Sequence, residues 1–208
     1  MTDAADHLIT SLDDLLPLYG DVALGARTKE QDHLAPVYQE MIAASPFCAL
    51  TTVGPEGTDC TPRGDEPGFV RVVDEHTLEL PDRKGNNRLD SLRNIIRDGR
   101  VSLLFLIPNR IDSMRVNGRA VITTDPDVLA SHAIDGKPPA TVIRITVERA
   151  YSHCGKAMIR SNLWNPEEWQ PIEGLPTPGQ ISNSFKDFEM DVEAYDANYE
   201  NDLRQNLL

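Results

Sequence analysis

Apolar residues recur along this chain at two spacings. From Asp32 to Ala44, Leu34, Val37, Tyr38, Met41 and Ile42 repeat as they do along one face of a helix. Asp32 is a candidate cap for that helix, and Pro36 is tolerated only near its start. Leu89, Leu92, Ile95 and Ile96 mark a second helical face, ended by Gly99 where a left-handed residue is favoured. Residues 8–19 form a short amphipathic piece stopped by Pro17 and Gly20, and Asp127–His132 is a short helix after a proline. The other spacing is two. Phe47–Val53 and Asp59–Arg63 flank a GPEG turn, and Phe69–Val73 and Thr77–Leu80 flank Asp74, Glu75 and His76. Val101–Ile107 is almost wholly apolar, as a strand covered on both faces is. In Met114–Thr123, Met114, Val116, Gly118, Ala120 and Ile122 face one way and Arg115, Asn117 and Arg119 the other; Thr141–Val147 is a final Val/Ile/Thr-rich strand. Short, neighbouring, hairpin-linked strands predict a mainly β (α+β) protein, an antiparallel barrel with peripheral helices.

At 208 residues the chain is long enough for one domain with extensions. The predicted layout is an N-terminal helical extension over 1–44, the barrel over 45–165, and a loop with an acidic C-terminal tail over 166–208. The tail reads as a solvated or disordered extension, with Phe185, Phe188, Tyr195 and Tyr199 leaving a packing arm open. A net charge of −13 argues against general nucleic-acid binding and against anionic membrane surfaces. No apolar run reaches membrane-helix length, the acidic start lacks a signal peptide's pattern, and three cysteines are too few for a disulfide framework; a cytoplasmic protein is expected.

Against that acidic background, one basic run stands out: Arg83, Lys84, Gly85, Asn86, Asn87 and Arg88, just before the second helix. A helix start presents unpaired N–H groups and the positive end of its dipole, so cations and amides gathered there suit an anion, phosphate above all. The alternative is a solvated basic turn. Arg83 and Arg88 are the first choices, since guanidinium grips phosphate through two parallel hydrogen bonds. Lys84 would help as a point charge, and Asn86 and Asn87 as donors or helix caps. Gly155, Lys156 and Arg160 suggest a second basic helix start after the last strand. No metal site is expected: His153 and Cys154 are adjacent and point apart, and Cys48 and Cys60, candidate cross-strand neighbours, would supply only two ligands. Neither a G-x-S-x-G nucleophile motif nor a G-x-G-x-x-G dinucleotide motif is present. Trp164 and Trp169 are read as interface residues rather than as caps over a ligand.

The order of pieces resembles the pyridoxamine 5'-phosphate oxidase-like FMN-binding split barrels. The likeness is carried by FCALTTVGPEGTDCTPRGDEP over Phe47–Pro67, DRKGNNRLDSLRNI over Asp82–Ile95, the RVSLLF strand, and Arg115, Val116, Asn117, Gly118, Arg119 and Ala120 in an R-V-x-G-x-A strand. It spans roughly residues 40–165 and points to members other than the oxidase itself. The resemblance implies an FMN-dependent oxidoreductase acting on a small molecule, built as a homodimer with flavin at the interface. It implies that backbone around Arg63, Gly64 and Asp65 edges the isoalloxazine ring, and that Arg115 and Asn117 meet the flavin's pyrimidine end. It also implies that the Lys156–Arg160 segment reaches the flavin across the dimer. The rival readings are a non-catalytic flavin or small-ligand carrier, and a related barrel using haem or a deazaflavin. The oxidase's C-terminal segment is rich in Arg, His and Trp, whereas here PTPGQISNSFKDFEMDVEAYDANYENDLRQNLL is acidic and lacks His and Trp, so poor oxidation of pyridoxine phosphate is expected.

Overall fold

The computed structural model of the protein describes residues 7–185 and 190–207. Phe188 of the expected packing arm lies outside them. Two compact units are formed, residues 1–30 and residues 31–208. In the first, helices α1 (Leu12–Leu15) and α2 (Leu24–Thr28) are short, with a 3-10 turn over Leu16–Leu18 placing Pro17 at its start. Ser11 Oγ accepts from the Asp14 N–H and caps α1. Leu12, Leu16 and Leu24 are exposed.

The second unit opens with α3 (Pro36–Ala43), which puts Pro36 in the first turn, where its missing N–H costs nothing. Ala35, not Asp32, holds the cap position; Asp32 pairs instead with His33 Nδ1 at 2.9 Å. Tyr38, Met41 and Ile42 are the face that α3 buries. The strands are β1 (Phe47–Gly54), β2 (Gly57–Gly64), β3 (Arg71–Asp74), β4 (Thr77–Asp82), β5 (Arg100–Leu106), β6 (Ser113–Thr123) and β7 (Thr141–His153). Helix α4 (Asp90–Arg97) precedes β5, and α5 (Pro126–Ser131) lies between β6 and β7. The strands form one antiparallel sheet in the order β2-β1-β5-β6-β7-β4-β3.

Alternation sorts the sheet into two faces, as the two-residue period requires. Leu50, Leu103, Val116 and Ala150 are register partners across four strands and all lie in the core. In the adjacent register, Ala49, Leu104, Arg115 and Tyr151 form the matching row on the opposite face. Thus β5 is covered on one face only within this chain: Val101, Leu103 and Phe105 are buried, while Ser102, Leu104 and Leu106 are half-buried. The sheet does not close through backbone pairing. A side-chain pair crosses the opening instead: Arg63 near the end of edge strand β2 meets Asp82 at the end of β4, the strand next to the other edge, at 2.9 Å. This open, curled antiparallel sheet with outlying helices is the split-barrel class expected from the sequence.

Two local expectations need correcting. Helix α4 buries Ser91 and Ile95, with Leu92 packed beside them, but Ile96 is exposed and Leu89 lies ahead of the helix in a left-handed conformation, φ 62°. The apolar face is therefore narrower than four residues. Gly99 is not left-handed; a Cβ there would sit 3.0 Å from the Ala120 carbonyl oxygen, so the glycine serves close approach to β6. The C-terminal region contains α6 (Lys156–Arg160), α7 (Pro178–Asn183) and α8 (Val192–Gln205). Asp191 caps α8 by accepting from the Ala194 N–H, and Asp196 on α8 accepts from the Gly179 N–H at 2.7 Å. The described part of the tail thus carries two helices joined to each other by that bond, and α8 buries no residue, as in a solvated extension. Tyr195 and Tyr199 stack along α8 with ring centroids 5.7 Å apart, and Phe185 is exposed. No helix among the described residues is long and apolar enough to cross a membrane.

Candidate functional site

A cavity of about 960 Å³ lies where the end of β2, the end of β4, the turn after β4, the start of α4 and the segment before β7 meet. It gathers Arg63, Gly64, Arg83, Lys84, Asn86, Asn87 and Arg88 from two stretches of sequence. Asp65 joins them through Arg83, whose Nε donates to Asp65 Oδ2 at 2.7 Å. Arg115 and Asn117 do not line it; they sit on the sheet's outer face, where Arg115 Nη1 donates to the Tyr151 hydroxyl at 3.2 Å. Lys156 and Arg160 belong to α6 and do not line it either.

The basic turn is locally ordered. Arg88 N–H donates to Asn86 Oδ1, and Asn87 and Leu89 take left-handed conformations. Neither asparagine caps α4: the cap position falls to Leu89, and no side chain caps the helix. The first N–H groups of α4 therefore border the cavity wall formed by Leu89, Asp90, Ser91 and Leu92. Gly64 is needed first by the chain itself, because a Cβ there would lie 3.3 Å from the Pro46 carbonyl oxygen.

Charge in the cavity is more balanced than the sequence suggested. Arg63 pairs with Asp82, Arg83 with Asp65, and Arg88 with Asp90, at 2.7–2.9 Å. Arg83 also donates from Nη1 to the His132 carbonyl oxygen at 2.9 Å. Its guanidinium is committed to holding the turn, whereas the Arg88 side chain is 74% exposed and its pair with Asp90 lies in solvent, where such pairs are weak. Lys84 reaches only Asn206 Oδ1, at 3.4 Å, and no carboxylate pairs with Lys84 or Lys137 among the described residues. Two buried polar atoms of the lining, Arg63 Nε and Thr141 Oγ1, have no hydrogen-bond partner.

Behind Arg83 lies a buried polar network. Glu79 Oε2 contacts His132 Nε2 at 3.0 Å, and Glu79 Oε1 accepts from Arg144 Nη2 at 2.8 Å. Because an ionised carboxylate only accepts, this pairing places the proton of a neutral His132 on Nε2. Burial would raise the Glu79 carboxyl, but hydrogen bonds from Arg144 and His132 outweigh it and hold the group below its ordinary value. Burial depresses His132, with the bond to Glu79 opposing in part.

Sequence reasoning missed Lys137, Thr141 and Asp82. An available signal was the Asp135-Gly136 dipeptide, which forms a tight turn with both residues at positive φ and carries Lys137 at its end. Cys60, which also lines the cavity, pairs in register with Thr51, not with Cys48 as supposed; Cys48 opposes Arg63 and faces the core. Burial pushes the Cys48 thiol up to about 12, so it remains an inert thiol near neutrality.

Residues 34–154, more than half the chain, match the family model described as pyridoxamine 5'-phosphate oxidase. No curated protein matches the chain. Among solved structures, HupZ of Group A Streptococcus is 21% identical with a TM-score of 0.45, over 57% of this chain and 92% of that one. A putative pyridoxamine 5'-phosphate oxidase from Lactobacillus delbrueckii is 17% identical with a TM-score of 0.46, over 58% and 95%. A Clostridium acetobutylicum protein related to general stress protein 26 is 16% identical with a TM-score of 0.44, over 55% and 84%.

Proposed function

The chain belongs to the pyridoxamine 5'-phosphate oxidase family, and we propose that within it this protein is an FMN-dependent oxidoreductase working as a homodimer. The observation that carries the reading is the cavity, which unites the basic turn, the uncapped start of α4 and the Arg63–Gly64 end of β2 inside the family-matched span. Its volume lies at the upper end of the usual range for ligand sites, and its wall holds two buried polar atoms awaiting partners, which suits a large polar cofactor.

Lys84, Arg88 and the α4 N–H groups would receive the FMN phosphate. Arg83 would act behind them, bracing the turn against Asp65 and His132. Backbone at Arg63, Gly64 and Asp65 would edge the ring, since both Asp65 carboxylate oxygens are already taken, by Arg83 and by the Glu66 N–H. When bound, FMN supplies hydride and electron transfer. A second copy of the chain would cover the outer face, where Arg115 and Asn117 lie and Leu104 and Leu106 are half-buried, and would bring Lys156 and Arg160 to the flavin. Asn206 meets Lys84 and Leu207 joins the lining, and the net acidity of the tail that carries them would disfavour phosphorylated substrates such as pyridoxine phosphate.

Reduction of the FMN-loaded protein by a nicotinamide donor, followed by reoxidation in air, tests the reading. Repeated cycles faster than free FMN support an oxidoreductase. Bound flavin that does not cycle makes the protein a carrier, and an absorption spectrum of haem type rules FMN out.

A further inference from the structure

We infer that Lys137 and Thr141 form an anion subsite in this cavity, separate from the basic turn, and that it takes a phosphate or carboxylate group. The inference rests on reading the cavity as a ligand site. Lys137 ends a two-residue turn in which the Ile134 and Lys137 backbones exchange both hydrogen bonds, at 3.1 and 2.9 Å. That pins its backbone while its side chain stays exposed at the cavity edge. Pro138 and Pro139 follow, with φ fixed by their rings, and lead into β7 at Thr141. The backbone is therefore stiff, so the freedom lost when a ligand binds is that of the Lys137 side chain.

Thr141 faces Asp82 in register, and Asp82 holds Arg63 Nη1. Arg63 Nε and Thr141 Oγ1 are both buried without hydrogen-bond partners. Arg63 Nε can only donate, and the threonine hydroxyl can donate. The group they await is an acceptor. The cavity's arginines are each matched by a carboxylate of the chain, but Lys137 is not, so an anionic acceptor also finds uncompensated positive charge. Two sources share this chemistry: the anionic group of a second reactant, or the phosphate of FMN itself, which would then sit here and not on Lys84 and Arg88.

Titration of FMN and of riboflavin, which lacks the phosphate, into wild type, Lys137→Ala and Thr141→Val separates them. If the subsite holds the FMN phosphate, Lys137→Ala weakens FMN by about tenfold or more and leaves riboflavin unchanged. If it holds a second reactant's anion, flavin affinities stay the same. Inorganic phosphate then perturbs the bound-flavin absorption saturably in wild type, but only weakly in Lys137→Ala and Thr141→Val. Equal behaviour of all three proteins in both assays overturns the inference. Should wild type bind neither flavin, the FMN reading fails by itself. The subsite is then read from phosphorus-NMR broadening of inorganic phosphate on the flavin-free protein. Loss of that broadening in Lys137→Ala supports the subsite, and undiminished broadening overturns it.

Discussion

Glu79 draws together residues far apart in sequence: His132 at the end of α5, Arg144 on β7 and, at 3.8 Å, Arg71 on β3. Its side chain is almost fully buried, so removing it leaves charged and polar groups without their partner. Glu79→Ala should lower unfolding stability by about 3 kcal/mol, toward the mild end of such losses because Arg144 remains partly in water; urea titration at neutral pH measures it. The same network sets an acid sensitivity. His132 is depressed in the folded state below its ordinary 6.5, so the unfolded chain takes up the proton first. Its contribution is complete above about 6.5 and is lost as pH falls through the folded value. Glu79, also depressed, adds a second loss only below its ordinary 4.5. His132→Gln should therefore flatten the stability profile between neutrality and mild acid, and a profile as steep as wild type would contradict this. Site residues were legible one at a time but their pairing was not. Arg63 and Arg83 stand out as cations, yet Asp82 and Asp65, 19 and 18 residues away, become their partners only when the sheet curls.

Strands were the most legible elements: alternation in β6 follows directly from burial of one sheet face, whereas the apolar run of β5 also places Leu104 and Leu106 on the half-buried outer face. What alternation could not show is the irregularity at β6–β7, where Asn117 pairs with Arg149 but Gly118 pairs with Val147. Glu148 is the extra residue, and the backbones crowd there: a Cβ on Gly118 would fall on the Thr146 carbonyl oxygen. That crowding gives the glycine of the R-V-x-G-x-A strand a packing reason. Gly118→Ala should destabilise by about 1–3 kcal/mol, since backbone rather than a flexible side chain must move; a melting temperature equal to wild type would remove that reason. Helix α4 was over-read because eight residues offer too few turns for periodicity to fix a face. The helices α7 and α8 were not legible because they are marked by caps, Thr177 with Gln180 and Asp191 with Ala194, and not by buried apolar area.

At the scale of the whole molecule, the open sheet leaves Leu104 and Leu106 half-buried and Phe47 and Val121 exposed on one face. Covering that face with a second copy predicts a solution mass about twice the 23.1 kDa of the chain, read by light scattering; a monomer that retains flavin would contradict the interface reading. The family was legible from four motifs in order, but the cavity's charge balance and the Lys137–Thr141 wall needed the fold. The central claim is that this cavity binds FMN. It is tested most directly by incubating the purified protein with FMN, removing the free ligand by gel filtration, and recording the visible spectrum together with the identity of the extracted cofactor. Oxidised-flavin absorption is expected, with FMN at one per chain. A colourless protein after loading, or FAD as the retained cofactor, would contradict it.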